Sequence, residues 1–244
     1  MTIPKFAGFA LRSLGEAGPY RLTVRTHAFQ AWNPGSIPGR VKMHKSVAVL
    51  KRDKRFAPLI KKHGTPDLIR GKNPFQALVR SIIHQQVSGA AARTIHERFV
   101  SLFPKGKFPT PEMVRAMPIA KMRAAGLSGQ KASYIKDLAD KFSDGTIKHR
   151  SLHKMESADI VENLTQVKGV GVWTVHMFLI FTLGRPDVLP TGDLGIRKGF
   201  QILYKLTDLP DHARMEKLAA PWRAHASTAS WYLWRVADEA KRRK

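Results

Sequence analysis

Residues 167–174 read Val-Lys-Gly-Val-Gly-Val-Trp-Thr. Two glycines with one residue between them, set between two apolar stretches of helical character, constrain the fold more than any other feature of the chain. The backbone must reverse here within a few residues and pack one helix back on another. Gly169 and Gly171 supply the conformational freedom for that reversal and remove the side chains that would block a close approach. Amides near Gly169, Gly171 and Trp173 would then point outward at the start of the second helix, where the helix dipole favours an anion. Lys168 adds a positive charge. The same pattern also serves as an ordinary tight turn between helices, and non-enzymatic proteins use it to bind DNA.

Charge favours the phosphate grip over the plain turn. Lys and Arg number 42 against 18 Asp and Glu, a formal charge of +24. Such an excess points to a polyanionic partner, most simply nucleic acid. A generic basic protein of the ribosomal kind is the alternative, but 43% hydrophobic residues and five Trp argue for a real core. The absence of cysteine excludes disulfides, thiol catalysis and cysteine-ligated iron–sulfur clusters. No His/Asp/Glu cluster suggests a catalytic metal. No apolar run approaches the ~20 residues that cross a bilayer, so no membrane association is expected.

Residues 1–50 differ from the rest. They hold seven Lys or Arg and one acid, Glu16. Pro34, Gly35, Pro38 and Gly39 break any long periodicity. The segment is expected to be mostly a basic extension, partly disordered, that strengthens DNA contact; its composition also suits organelle targeting. From about Lys51 the pattern turns helical. Phe75, Leu78, Ile82 and Ile83 fall at helix spacing after Asn73-Pro74. Thr110-Pro111-Glu112 is a helix start and Met117-Pro118 a stop. Leu127-Ser128-Gly129 precedes a helix carrying Ile135, Leu138 and Phe142. Ser157 is expected to cap a helix running to about Leu164, and an apolar helix is expected from Val172 to Leu183. Strand signals are weak after residue 55. The expected fold is mainly α.

Nineteen residues beyond Thr174 stands Asp193, in Pro-Thr-Gly-Asp-Leu-Gly-Ile-Arg. A carboxylate at this place suits a helix N-cap. Behind a DNA grip it also suits chemistry on a nucleotide.

The hairpin and the Asp193 segment together resemble the helix-hairpin-helix superfamily of DNA glycosylases, and within it the 3-methyladenine DNA glycosylase II branch. Leu78-Val79-Arg80-Ser81-Ile82-Ile83-His84-Gln85-Gln86-Val87-Ser88 is similar to an early signature of that branch. Trp222-Arg223 with Trp231-Tyr232-Leu233-Trp234-Arg235 is similar to its C-terminal one. The resemblance spans about residues 50–240. It implies two helical lobes with a DNA-binding cleft between them: residues 51–74 plus 186–244 in one, residues 75–185 with the hairpin in the other. It implies a monomer that acts on double-stranded DNA containing damaged bases.

The resemblance also assigns residues. Asp193 matches the catalytic aspartate. Trp173, Met177 and Trp234 match positions lining the base pocket, although core packing is the usual fate of such side chains. Gln86 matches the wedge that fills the gap left by a flipped base, its alternative being a polar residue on a surface turn. Gln85 and His84 are placed near the minor groove, and Lys168, Gly169 and Gly171 on a DNA phosphate. The backbone carbonyls of Thr165, Val167 and Val170 are placed around a structural Na+ or K+; no other cofactor is implied. Bifunctional members carry a nucleophilic Lys where this chain has Trp173, so no Schiff base is expected there.

The chemistry implied is hydrolysis of the bond between an alkylated purine and C1′ of deoxyribose. The base must leave the stack, and bond breaking puts positive charge on the sugar, which a fixed carboxylate stabilises. A non-catalytic DNA-binding module and a glycosylase for a deaminated or oxidised base are the competing readings.

Overall fold

Short-range capping sets most helix starts. The computed structural model describes residues 40–69, 71, 73–104 and 108–242. Asn73 Oδ1 accepts the Gln76 amide at 3.0 Å with Pro74 at the first position, opening α3 (Pro74–His84), which follows α1 (His44–Leu50) and α2 (Phe56–His63). Ser88 and Thr110 do the same for α4 (Gly89–Ser101) and α5 (Pro111–Ala116). After α6 (Ile119–Ala124), Ser128 accepts the Lys131 amide at 3.2 Å and opens α7 (Gly129–Ser143). α8 (Ser157–Thr165) and α9 (Val172–Phe178) flank the glycine-rich turn. α10 (Leu194–Leu203), α11 (His212–Ala219) and α12 (Ala226–Arg242) complete the chain, with a 3-10 turn over Ala220–His225. The mainly α expectation holds.

Within one continuous hydrophobic core the helix contacts fall into two packing groups. In the first, α7 buries Ala132, Ile135, Leu138, Ala139 and Phe142 against its neighbours α3, α5 and α6. In the second, α10 lies along α12, and α1, α2 and the 3-10 turn pack beside them. Gly199 lets α10 and α12 touch: a Cβ there would sit 2.5 Å from the Leu233 carbonyl oxygen. Trp222 is buried in the second group, stacked on Phe200 and edge-on to Phe56. Ala226, four residues on, is fully buried as well. Trp231 carries the Arg235 guanidinium on its face, 4.6 Å from the ring centre.

Four expectations are corrected. Residues 40–50 are not part of a loose extension: α1 buries Val47 at 5% and Leu50 at 1% exposure. The extension reading therefore reaches no further than residue 39, and residues 1–39 lie outside the described ones. A strand does form after residue 55: β1 (Arg40–Lys42) pairs antiparallel with β2 (Asp67–Ile69), with Val41 opposite Leu68. Three residues are too few to show a period of two in sequence. Ser157 is the first helical residue of α8; Glu156 holds the cap position and no side chain caps it. The apolar helix from Val172 does run to Leu183, but its last five residues, Leu179–Leu183, widen into a π-turn closed by Gly184 in the left-handed conformation at φ +67°.

Candidate active site and DNA-facing loops

Asp193 sits at the start of α10 with extended backbone, and its side chain does three things at once. Oδ1 accepts the Ile196 amide at 2.9 Å, the N-cap bond. The same oxygen accepts Nε1–H of Trp234 at 3.0 Å. Oδ2 accepts Nε1–H of Trp173 at 2.6 Å. The residue is 6% exposed. Among the described residues no Lys or Arg forms an ion pair with it. Two indole N–H groups and one amide of the helix N-terminus thus hold this buried carboxylate, an arrangement that can meet a cation arriving from outside. Capping and catalysis are thus compatible roles of one side chain, not alternatives.

The two indoles reach Asp193 from opposite elements. Trp173 lies in the first turn of α9 and is partly buried. Trp234, on α12, is 5% exposed and stacks on Phe181 at 6.0 Å. The absent side chain of Gly195 admits this arrangement: a Cβ there would lie 3.0 Å from both Asp193 Oδ1 and Trp234 Cδ1. The sequence alone marks neither Gly195 nor Phe181 as part of the site. A glycine two residues past an aspartate carries no signal until the indole that needs the space is known. Met177 is a correction. It is 1% exposed within the hydrophobic core and offers no surface to a base. One helical turn places it beneath Trp173, and that direction leads inward.

In the turn between α8 and α9, Val167 and Val170 are buried while Lys168 and Gly169 are exposed. Gly169 has φ +78°, and a Cβ on it would fall 2.0 Å from the Tyr134 ring. The Lys168 amide donates to Asp137 Oδ2 at 2.8 Å, so it serves the fold. A Cβ on Gly171 would meet nothing within 4 Å. No side chain caps α9, so its first-turn amides have no partner within the helix. Val172 beside them is 50% exposed. The carbonyls of Thr165, Val167 and Val170 belong to the helix end and the turn; Val167 O accepts the Val170 amide at 3.0 Å and keeps one lone pair.

Gln86 follows α3 in the left-handed region, at φ +55°, with its side chain exposed. A non-glycine residue held there marks a strained loop tip. Gln85 is tied to the glycine turn: its Nε2 donates to the Gly169 carbonyl at 2.8 Å. His84 is turned back on its own helix, Nδ1 against the Arg80 carbonyl at 2.9 Å. Burial pushes its imidazole down to about 4, with the Arg80, His96 and Lys131 charges adding to the shift, so it is neutral at physiological pH.

Comparison with known proteins finds similar chains over most of this length. The family model described as HhH-GPD superfamily base excision DNA repair protein matches residues 79–224. DNA-3-methyladenine glycosylase 1 of Schizosaccharomyces pombe is 37% identical over 191 residues, covering 77% of this chain and 82% of that protein. DNA-3-methyladenine glycosylase 2 of Escherichia coli is 26% identical over 166 residues, 65% of this chain and 57% of that one. The solved S. pombe 3-methyladenine DNA glycosylase in complex with abasic DNA superposes with a TM-score of 0.69 at 36% identity, over 78% of this chain and 95% of that one. DNA-3-methyladenine glycosidase from Bacillus halodurans gives 0.72 at 31% identity, over 83% and 94%.

Proposed function

The chain belongs to the HhH-GPD superfamily of base excision DNA repair proteins, and we propose that it is a monofunctional glycosylase that hydrolyses the N-glycosidic bond of alkylated purines in duplex DNA. The observation that carries the reading is Asp193: a buried anion held by two indoles and an amide, with no ion-pair partner among the described residues.

The chemistry follows from that charge. The bond from the purine nitrogen to C1′ breaks with its electron pair leaving on the base, and positive charge develops on the sugar. Asp193 stabilises that charge, while water supplies the new C1′–O bond and loses its proton. A 3-methyladenine or 7-methylguanine type base is already cationic and leaves without a general acid, so one carboxylate suffices. The indole face of Trp173 favours such a cationic base over a neutral one. Trp173 stands where lyase members carry a nucleophilic Lys, which supports hydrolysis without strand cleavage. The DNA is received between the two packing groups, its phosphate on Lys168, Gly169 and Gly171, with Gln86 in the stack. A Na+ or K+ on the carbonyls of Thr165, Val167 and Val170 stiffens the turn in this reading.

The test is release of free methylated base from duplex DNA by the wild type and by Asp193→Asn, with and without alkali. Base release by the wild type alone, leaving sites cleaved only after alkali, supports the proposal. Excision by Asp193→Asn at the wild-type rate overturns the catalytic assignment, and a high yield of borohydride-trapped adduct overturns the monofunctional one.

A further inference from the structure

The loop that carries Gln86 and the turn that carries Gly169 come from distant parts of the chain, yet both are fastened to one flank of α7. Lys131 Nζ donates to the carbonyls of Ile83 and Gln85 at 2.7 and 2.6 Å. These are end carbonyls of α3, which its own ladder leaves unpaired, and an ammonium there also meets the negative end of the helix dipole. One turn on, the Tyr134 ring fills the space below Gly169. Another turn on, Asp137 Oδ2 accepts the Lys168 amide while Oδ1 takes Lys141 Nζ at 2.6 Å. The triangle closes directly between the two loops, Gln85 Nε2 to Gly169 O at 2.8 Å.

We propose that Lys131 and Gln85 are positioning residues for the wedge, fixing Gln86 at a set distance from the phosphate-gripping turn. This rests on the glycosylase reading and on Gln86 as the wedge. The attachment points on α7 are three to six residues apart, about 5–9 Å along its axis at 1.5 Å per residue. A strand gripped at Gly169 therefore meets Gln86 in one register. Gln86 also needs the support: it follows a residue with extended backbone and itself sits at φ +55°, a conformation that survives only when both sides are held. Lys131 has two of its three N–H groups on carbonyls, so it acts on the loop and is not a phosphate ligand.

The test uses Lys131→Met, which keeps the apolar stem, Lys131→Arg as the conservative variant, Gln86→Ala and the double variant Lys131→Met/Gln86→Ala. A 2-aminopurine beside the lesion reports flipping, and single-turnover excision reports chemistry. Lys131→Met is expected to lower the flipped population and slow excision of a paired 7-methylguanine by about 10- to 100-fold, the scale of an ångström-sized misplacement. Lys131→Arg should recover part of the loss. The double variant should be no worse than Gln86→Ala, because both remove one function. Affinity for undamaged duplex and its salt dependence should not change.

A salt slope reduced by about 0.9 in Lys131→Met would make the lysine a phosphate contact and overturn the proposal. Multiplying effects in the double variant would overturn it as well. If Lys131→Met fails to fold, Gln85→Leu replaces it: this loses one side-chain bond to Gly169, and the same non-additivity with Gln86→Ala is required. Should the wild type excise nothing, the glycosylase reading fails by itself, while the 2-aminopurine signal and affinity for abasic DNA still decide whether Lys131 and Gln85 set the wedge.

Discussion

Trp173 donates its indole N–H to Oδ2 of Asp193 at 2.6 Å while Trp234 donates to Oδ1 at 3.0 Å, so the carboxylate is gripped from both sides. The two bonds are not equivalent. Trp234 is 5% exposed and shares Oδ1 with the Ile196 amide, which fixes the carboxylate plane. Trp173 is partly buried and covers the oxygen on the more open side.

This asymmetry predicts different failures for the two Trp→Phe variants. Trp234→Phe removes a buried donor and leaves a gap against Phe181. It should cost about 1–3 kcal/mol of stability and slow excision at saturating enzyme. Trp173→Phe keeps an aromatic face and mainly weakens binding of the cationic base, so its loss should fall on KM. Thermal melts with single-turnover kinetics check this. A larger loss of saturated rate in Trp173→Phe than in Trp234→Phe would reverse the assignment.

What could be seen in the sequence was local. Asn73-Pro74, Thr110-Pro111 and Ser128 announce helix starts because a cap is a bond across three residues. The glycine turn and Asp193 could be singled out for the same reason, each marked by residue type and spacing. The bonds that assemble the site are not local. Gln85 meets Gly169 across 84 positions and Lys131 meets Gln85 across 46, with no periodicity to link them. The positive φ of Gln86 was invisible because the residue is not glycine. Helical spacing puts Met177 on the stripe of Trp173 but does not say which edge of that stripe reaches the surface, and Met177 is buried.

The two hairpin glycines can be separated by experiment. Gly169→Ala places a methyl into the Tyr134 ring at a φ of +78°, so it should destabilise the fold as well as the grip. Gly171→Ala has open space and φ −94°, so stability should change by no more than about 0.5 kcal/mol. Its methyl still stands where a phosphate would approach, and affinity for any duplex should fall. Unchanged DNA binding by Gly171→Ala would remove the phosphate from this turn.

Stability should fall on mild acidification. His84 titrates near 4 in the fold, chiefly because burial disfavours the imidazolium, against 6.5 when unfolded. Protons therefore bind the unfolded chain first as pH drops through 6.5, and the loss is complete below about 4. His96 and His176 are shifted downward by burial too and act in the same direction. His84→Gln keeps a donor for the Arg80 carbonyl without a titrating ring. Its urea midpoint should decline less between pH 7.5 and 5 than that of the wild type; parallel declines would show that His84 is not a source of the acid sensitivity.

Truncation at the N-terminus should divide sharply at residue 40. Residues 1–39 carry four basic side chains, Lys5, Arg12, Arg21 and Arg25, and one acid, Glu16. Removing them should weaken duplex affinity and flatten its salt dependence, as each lost phosphate contact takes about 0.9 from the log–log slope. Excision at saturating enzyme should persist. Removing residues 1–50 is a different operation. It deletes β1, the partner of β2, and takes Met43, Val47 and Leu50 out of the core. At about 1.5–3 kcal/mol per buried apolar side chain, those three alone match much of a typical domain's stability. The shorter protein should be largely unfolded at 37 °C by circular dichroism and should lose excision at any enzyme concentration. A folded, active product of the longer deletion would show that α1 packs on the second group without supporting it.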